Sequence, residues 1–190
     1  MRYVSFNFWM SDNLPHTPPN SERLYTFTLA DNTEMARRWS DIAGALQRSF
    51  TGSQFNGNYT ADSPLIYTRA GVQGQLAEKV GHALALDGRD RTVGGIFCIP
   101  IENPHGNDTC DIGWVFTVPE TPLREKVVIM DGLVTLLGHT VLSAGYQGII
   151  TSMGTPAGER VLRSRYGFRH EPTEDNTNRW TWDPQSWLLK

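Results

Sequence analysis

The chain is short of cysteine, of long apolar runs and of any dominant charge, and each shortage removes a class of function. Its two cysteines, Cys98 and Cys110, are too few for the disulfide framework of a small secreted domain and do not stand at C-x-x-C spacing. Both are expected as buried apolar side chains. His82, His105, His139 and His170 fall at no metal-ligand spacing, so no metal site is expected. No window approaches the run of about 18 apolar residues that a membrane span needs. The opening MRYVSFNFWMSDNLPHTPP has neither a long apolar core nor a small-residue cleavage site, so the expectation is a cytoplasmic protein with no membrane partner. Lys and Arg number 17 against 20 Asp and Glu, a formal net charge of −3, which argues against nucleic acid held through the overall field, because phosphate neutralisation needs clustered cations. What is present is ordinary for a folded protein: 190 residues, 39% hydrophobic, 18 Gly and 11 Pro. A chain of this length buries about 70% of its unfolded surface, and a single globular domain over 1–190 follows, with disorder as its main state excluded.

Residues 1–20 end in Leu14-Pro15-His16-Thr17-Pro18-Pro19, too rich in proline for a helix, and read as an extended segment. Residues 24–29 (LYTFTL) alternate at period two as a half-buried strand does. Asp31 or Asn32 with Glu34 behind it starts a helix to about residue 50, with Met35, Trp39, Ile42, Ala43 and Leu46 on one face. Residues 51–64 (TGSQFNGNYTADSP) form a loop long enough for function to be one reason for it, and 65–80 are open between helix and loop. Strands follow at 82–87, 92–101 and 110–118, joined by turns at 88–91 and 102–109, which makes an antiparallel meander. Val127, Val128, Met130, Val134, Leu137, Val141 and Leu142 recur at helical spacing over 125–144, with Gly145 where a C-cap glycine belongs. A buried strand at 147–152, a helix at 156–165 opened by Pro156, and a closing hairpin at 167–171 and 178–183 complete an α/β order with no internal repeat.

Three stretches in that order bear on function: the strand Asp111–Val118 leaving through Pro119-Glu120, the long helix opening on Arg124-Glu125-Lys126-Val127-Val128-Ile129, and the helix RVLRSRYGF (160–168) closing on Gly-Phe. Together with the element order over 24–183 they resemble the GCN5-related N-acetyltransferase (GNAT) family. The resemblance implies a mixed, mainly antiparallel sheet flanked by helices, and N-acyl transfer from acetyl-CoA or another acyl-CoA to an amine of a small molecule. It implies a donor site on the backbone of Phe116, Thr117 and Val118 and on the helix start Arg124–Ile129. A helix N-terminus presents unpaired N–H groups and partial positive charge suited to a pyrophosphate, and Arg124 and Lys126 add mobile charge beside it. The family's glycines in that turn are replaced here by Val127, Val128 and Ile129, which keeps open a donor carried by an acyl carrier protein or an aminoacyl-tRNA.

Moving an acyl group to an amine requires a base for the amine proton, a donor to the oxyanion and a proton for the departing thiolate. The resemblance puts Asp111 where many relatives carry a glutamate base, and strict alternation would set it on one strand face with Gly113, Val115 and Thr117. The family's usual tyrosine acid is replaced by Arg163, which does not donate its proton. Ser164 and Tyr166 are the nearby hydroxyls. Arg160, Arg163, Arg165 and Arg169 form a local basic cluster, by default a solvated helix face, and the aromatic and amide-rich segment Phe50–Tyr67 is a wall for the acceptor. A fold that has lost catalysis and only binds is the reading from another class.

Overall fold

The computed structural model of the protein describes residues 25–73, 80–98 and 109–189. The expected N-terminal segment 1–20, the strand end 99–101, the turn 102–108 and His105 lie outside them. In chain order the elements are β1 (Thr26–Ala30), α1 (Asn32–Arg37), α2 (Trp39–Phe50), α3 (Ser63–Val72), β2 (His82–Leu86), β3 (Thr92–Cys98), β4 (Thr109–Thr117), α4 (Leu123–Ser143), β5 (Gly148–Ser152), α5 (Pro156–Val161) with a π-helical turn over Leu162–Tyr166, β6 (Arg169–His170), β7 (Arg179–Trp182) and α6 (Pro184–Leu188). The strands form one seven-stranded sheet in the order β1-β2-β3-β4-β5-β7-β6. β2, β3 and β4 make the expected antiparallel meander, β1 adds antiparallel to β2, β5 joins β4 in parallel, and β7 and β6 continue antiparallel.

Alternation along the strands sorts side chains onto two faces. Ala83, Ala85, Ile96, Cys98, Cys110 and Ile112 pack with Ile129, Leu133, Leu137 and Val141 of α4, while Leu84, Leu86, Phe97, Trp114 and Phe116 pack with Met35, Ile42 and Leu46 of α1 and α2. Both cysteines are fully buried, as apolar residues are. Helix α4 is long and apolar enough by length and composition to cross a membrane, yet Ile129, Leu133, Val134, Leu136, Leu137 and Val141 are buried, and it is the core helix of this domain. It ends as its sequence requires: Tyr146 N–H donates to Val141 O and Gly145 N–H to Leu142 O, a Schellman closure that Gly145 permits at φ +90°.

The single helix expected from Asp31 to residue 50 is two. Asp31 caps α1 by accepting the Glu34 N–H at 2.8 Å, but the chain breaks at Arg38, whose guanidinium is held by Glu34 and by Asp90 in the β2–β3 turn at 2.8 Å. Met35, Ile42 and Leu46 stay in phase across the break and are buried as expected, while α2 buries Ala45 and leaves Trp39 and Ala43 half-buried.

His82, fully buried on β2, accepts the Cys98 N–H at Nδ1 over 3.1 Å, and its Nε2 has no hydrogen-bond partner among the described residues. Burial pushes its pKa down to about 4. The unfolded chain therefore takes up a proton near pH 6.5 that the folded one refuses, and stability is full above that value and falls as the pH drops towards 4. By pH 5 the loss is about 2 kcal/mol. Urea denaturation at pH 7.5 and pH 5 checks this: His82→Gln, which keeps an acceptor but does not titrate, is less stable than the parent at pH 7.5, and the gap closes by about that amount at pH 5.

Candidate active site

The parallel pairing of β4 with β5 is short. Thr109, Cys110 and Asp111 face Gly148, Ile149 and Ile150, and beyond Asp111 the two strands part. On its other edge β4 stays with β3, but the register steps from Cys98↔Ile112 to Ile96↔Val115, so Gly113 and Trp114 together oppose Phe97. That extra residue is a β-bulge, which bends the strand and resets its alternation. Cys110 and Ile112 accordingly belong to the α4 face, while Trp114 and Phe116 belong to the opposite one. This corrects the face expected for Asp111: lying between Cys110 and Ile112 it points away from α4, to the side of Trp114 and Phe116, and not to that of Val115 and Thr117.

The gap between the strands opens into a cavity of about 490 Å³. Thr151 closes its apex by donating from Oγ1 to Ile112 O at 3.0 Å. Val118 N–H donates to Val93 O on the β3 side, and Thr117 O accepts from Ser49 Oγ on the other, at 3.2 Å. The alternation of an antiparallel ladder then turns the backbone groups of Val115 and Thr117 into the gap. Of the expected donor-strand residues, Phe116 and Thr117 line the cavity and Val118 does not.

Asp111 lines the same cavity. It is 8% exposed and has no hydrogen-bond partner among the described residues. Burial pushes its carboxyl up to about 6, against a smaller opposing pull from the Arg179 guanidinium. Beside it stand Phe50, Tyr59, Tyr67 and Trp114. Trp114 meets the edges of Phe50, Tyr59 and Phe55 at centroid distances of 4.9, 5.6 and 6.1 Å, and Tyr59 meets Tyr67 at 5.8 Å. The loop of residues 51–62 is held across the mouth: Asn56 donates from its backbone N–H to Gly154 O at 2.9 Å and from Nδ2 to Met153 O at 3.1 Å, and the Tyr59 hydroxyl bonds Ser152. The segment Phe50–Tyr67 thus walls the cavity. Trp114 was absent from the sequence-derived set because strict alternation leaves it off the face expected for Asp111.

At the other end, α4 begins at Leu123 behind Pro122, with no side-chain cap. Lys126 N–H already donates to Pro122 O at 2.9 Å, so the amides of Val127, Val128 and Ile129 lie inside the helical ladder and Ile129 is core. The open end of the helix is Leu123 and Arg124. Arg124 and Lys126 flank it, the Glu125 carboxylate accepts from the Tyr25 hydroxyl, and Glu120 pairs with Arg48 at 3.1 Å. On the far wall the cavity meets Thr155, Gly158, Val161 and Leu162. Neither expected hydroxyl of that region reaches it. Ser164 is exposed and donates to Arg160 O at 2.6 Å. Tyr166 is 1% exposed, packs on Trp187 and donates to Asp131 Oδ1 at 2.9 Å. Of the arginine cluster, Arg165 pairs with Asp131 and Arg163 and Arg169 line a separate groove beyond the Asn56 bridge.

No protein-family model and no curated protein matches the sequence. Among solved structures the chain is similar to the GNAT family N-acetyltransferase YhbS from Escherichia coli in complex with CoA (TM-score 0.59, 15% identity, 92% of this chain and 88% of that one). It is also similar to a GNAT family acetyltransferase from Brucella melitensis in complex with acetyl-CoA (0.55, 10%, 85% and 89%), and to the C-terminal condensation domain of Ebony in complex with β-alanyl-dopamine (0.60, 10%, 85% and 99%). At these identities the likeness is one of fold, and the fold is that of the GNAT acetyltransferases.

Gly154 fixes the aromatic wall. A Cβ there would come within 2.2 Å of the Trp114 ring, which is itself wedged among Phe50, Phe55 and Tyr59. Gly154→Ala is expected to displace that ring, lower the melting temperature by several degrees, equivalent to about 1–3 kcal/mol, and weaken the binding of any ligand that occupies the cavity. Calorimetric melting of the purified variant tests the first effect.

Proposed function

We propose that the protein is an N-acyltransferase that moves an acyl group, acetyl foremost, from acyl-CoA to an amine of a small molecule, with Asp111 as the base. The observation that carries this reading is Asp111 itself: a buried carboxylate without a hydrogen-bond partner among the described residues, its pKa raised to about 6, at the point where β4 and β5 part. A group tuned in that way inside a cleft is what base catalysis near neutral pH requires. The neighbours of like fold that hold CoA and acetyl-CoA support the donor, and the Ebony domain with its β-alanyl-dopamine supports a small amine acceptor.

The cleft suits the donor chemically. The backbone of Val115 and Thr117 can pair with the amides of a pantetheine arm as a further strand would, and Arg124, Lys126 and the α4 terminus can hold a pyrophosphate without the family's glycines. When bound, acyl-CoA supplies an acyl carbon already activated by its thioester. Asp111 takes the proton of the attacking amine as the C–N bond forms and the C–S bond breaks, CoA leaves as its thiolate and takes a proton from solvent, and orientation in the cleft supplies several kcal/mol of the barrier. Ser164 and Tyr166 have no part in this scheme, because their hydroxyls are engaged elsewhere. Glu120 pairs with Arg48 and Glu125 stands between Arg124 and Lys126, which leaves too small an excess of positive charge to recommend a tRNA or an acidic carrier protein as donor. A binding domain without catalysis would gain by hydrogen-bonding or replacing a buried carboxylate; this one does neither.

Two measurements test the proposal. Calorimetric titration with acetyl-CoA and CoA is expected to give micromolar binding, about −8 kcal/mol, weakened several-fold by Arg124→Ala; no binding to either would end the acyl-CoA reading. Turnover with an accepted amine should rise with pH along an acid limb near pH 6 and fall by about a hundredfold or more in Asp111→Asn. Because the raised pKa favours the protonated folded state, Asp111 subtracts stability as pH rises from 4 through 6, by up to about 3 kcal/mol. The same variant should therefore be more stable than the parent at pH 8, and a variant both slower and less stable would mark Asp111 as structural.

A further inference from the structure

Resting on the reading of this cleft as an acyltransferase site, we infer that the acceptor is a monoamine carrying one flat, aromatic body. Asp111 is the sole carboxylate among the described residues of the cavity, and no Lys, Arg or His joins it. A polycation needs several carboxylates spaced along its length, and this wall offers one, at the apex. One ammonium is matched, and each further one would enter without a counter-charge.

The rest of the acceptor must suit Phe50, Tyr59, Tyr67 and Trp114, which adjoin that single carboxylate. Their rings are mutually fixed at 4.9–5.8 Å. Aromatic rings attract flat apolar bodies by edge or offset contact and attract an ammonium through their faces. The wall is also set before binding: Phe55 backs Trp114, Tyr59 is tied to Ser152, and Asn56 to Met153 and Gly154. A preformed wall loses little entropy when a rigid ring docks, whereas a flexible polyamine would lose much of its own. Tyr67, 42% exposed, carries the aromatic wall out towards solvent, where the far edge of the body would rest. The class is an arylalkylamine, a ring and an amine separated by a short chain, its amine at Asp111 and its ring against Trp114.

The test is isothermal titration of the protein saturated with CoA, which holds the donor site without allowing turnover, against tryptamine, phenethylamine and spermidine. Tryptamine and phenethylamine are expected to bind at least tenfold more tightly than spermidine. Trp114→Ala and, as a variant at an exposed position that leaves the core intact, Tyr67→Ala should each weaken the aromatic amines at least fivefold while CoA affinity stays within twofold. Spermidine binding as well as or better than the aromatic amines overturns the inference, as does aromatic-amine affinity unchanged in both variants. CoA binding with no binding of any amine also overturns it, and leaves the donor site standing. Failure of CoA itself to bind marks the failure of the acyltransferase reading, separately from the acceptor class.

Discussion

The separation of β4 from β5 after three residue pairs is the constraint on which the rest of the structure depends. Two parallel strands in mid-sheet ordinarily continue together, because each leaves a row of backbone groups that the other satisfies. Here the extra residue at Gly113–Trp114 bends β4 away, and Thr151 replaces one lost ladder bond with its side chain. The remaining groups of β4 are left facing a cavity. The bulge therefore creates a free strand edge for a ligand, and it also swings Trp114 to the side of Asp111. One inserted residue thus sets the open strand edge, the buried carboxylate and the aromatic wall in register with one another.

Two of the buried titratable groups, His82 on β2 and Asp111 at the cleft, have opposite consequences for stability. His82 is held neutral and costs stability in acid, while Asp111 is held towards its protonated form and costs stability in base. His82 belongs to packing: its Nδ1 satisfies the Cys98 N–H and its ring leans on Phe97 at 5.9 Å. Asp111 satisfies nothing in the described structure. The bond that His82 makes to the backbone, and the lack of any from Asp111 among the described residues, separate the two residues more firmly than pKa alone.

The meander, the long helix and its glycine stop were legible in the sequence, because each follows from a local rule: period two over 82–87 and 110–118, period 3.6 over 125–144, and an αL residue at Gly145. The position of Asp111 was legible too, but its face was not, since nothing local distinguishes a bulged Gly-Trp from a regular one; the bulge exists because β3 and β4 must also pair on either side of it. Ser164 and Tyr166 show a similar limit. Their helix ends in a π-helical turn that closes on Gly167, with Phe168 N–H reaching Leu162 O, and Asp131 on α4, thirty-five residues earlier in the chain, takes the Tyr166 hydroxyl. The loop at 51–62 could be read as functional from length and composition. Its anchoring to Met153 and Gly154 could not.

The replacement of glycines at the start of α4 has a counterpart in the sheet. Where the resembled pattern places small residues on the helix, this chain places Val127, Val128 and Ile129, and the small residues stand on β3 instead. A Cβ on Gly94 would lie 2.7 Å from Ile129 Cγ2 and 3.1 Å from Phe116 O. Close approach of helix and sheet is thus preserved with the two partners exchanged: the bulk is on the helix and the space is on the strand. Because α4 still seats closely, its N-terminus still follows directly on the end of β4. The amides left outside the helical ladder are then those of the first turn, beside which Arg124 and Lys126 place positive charge.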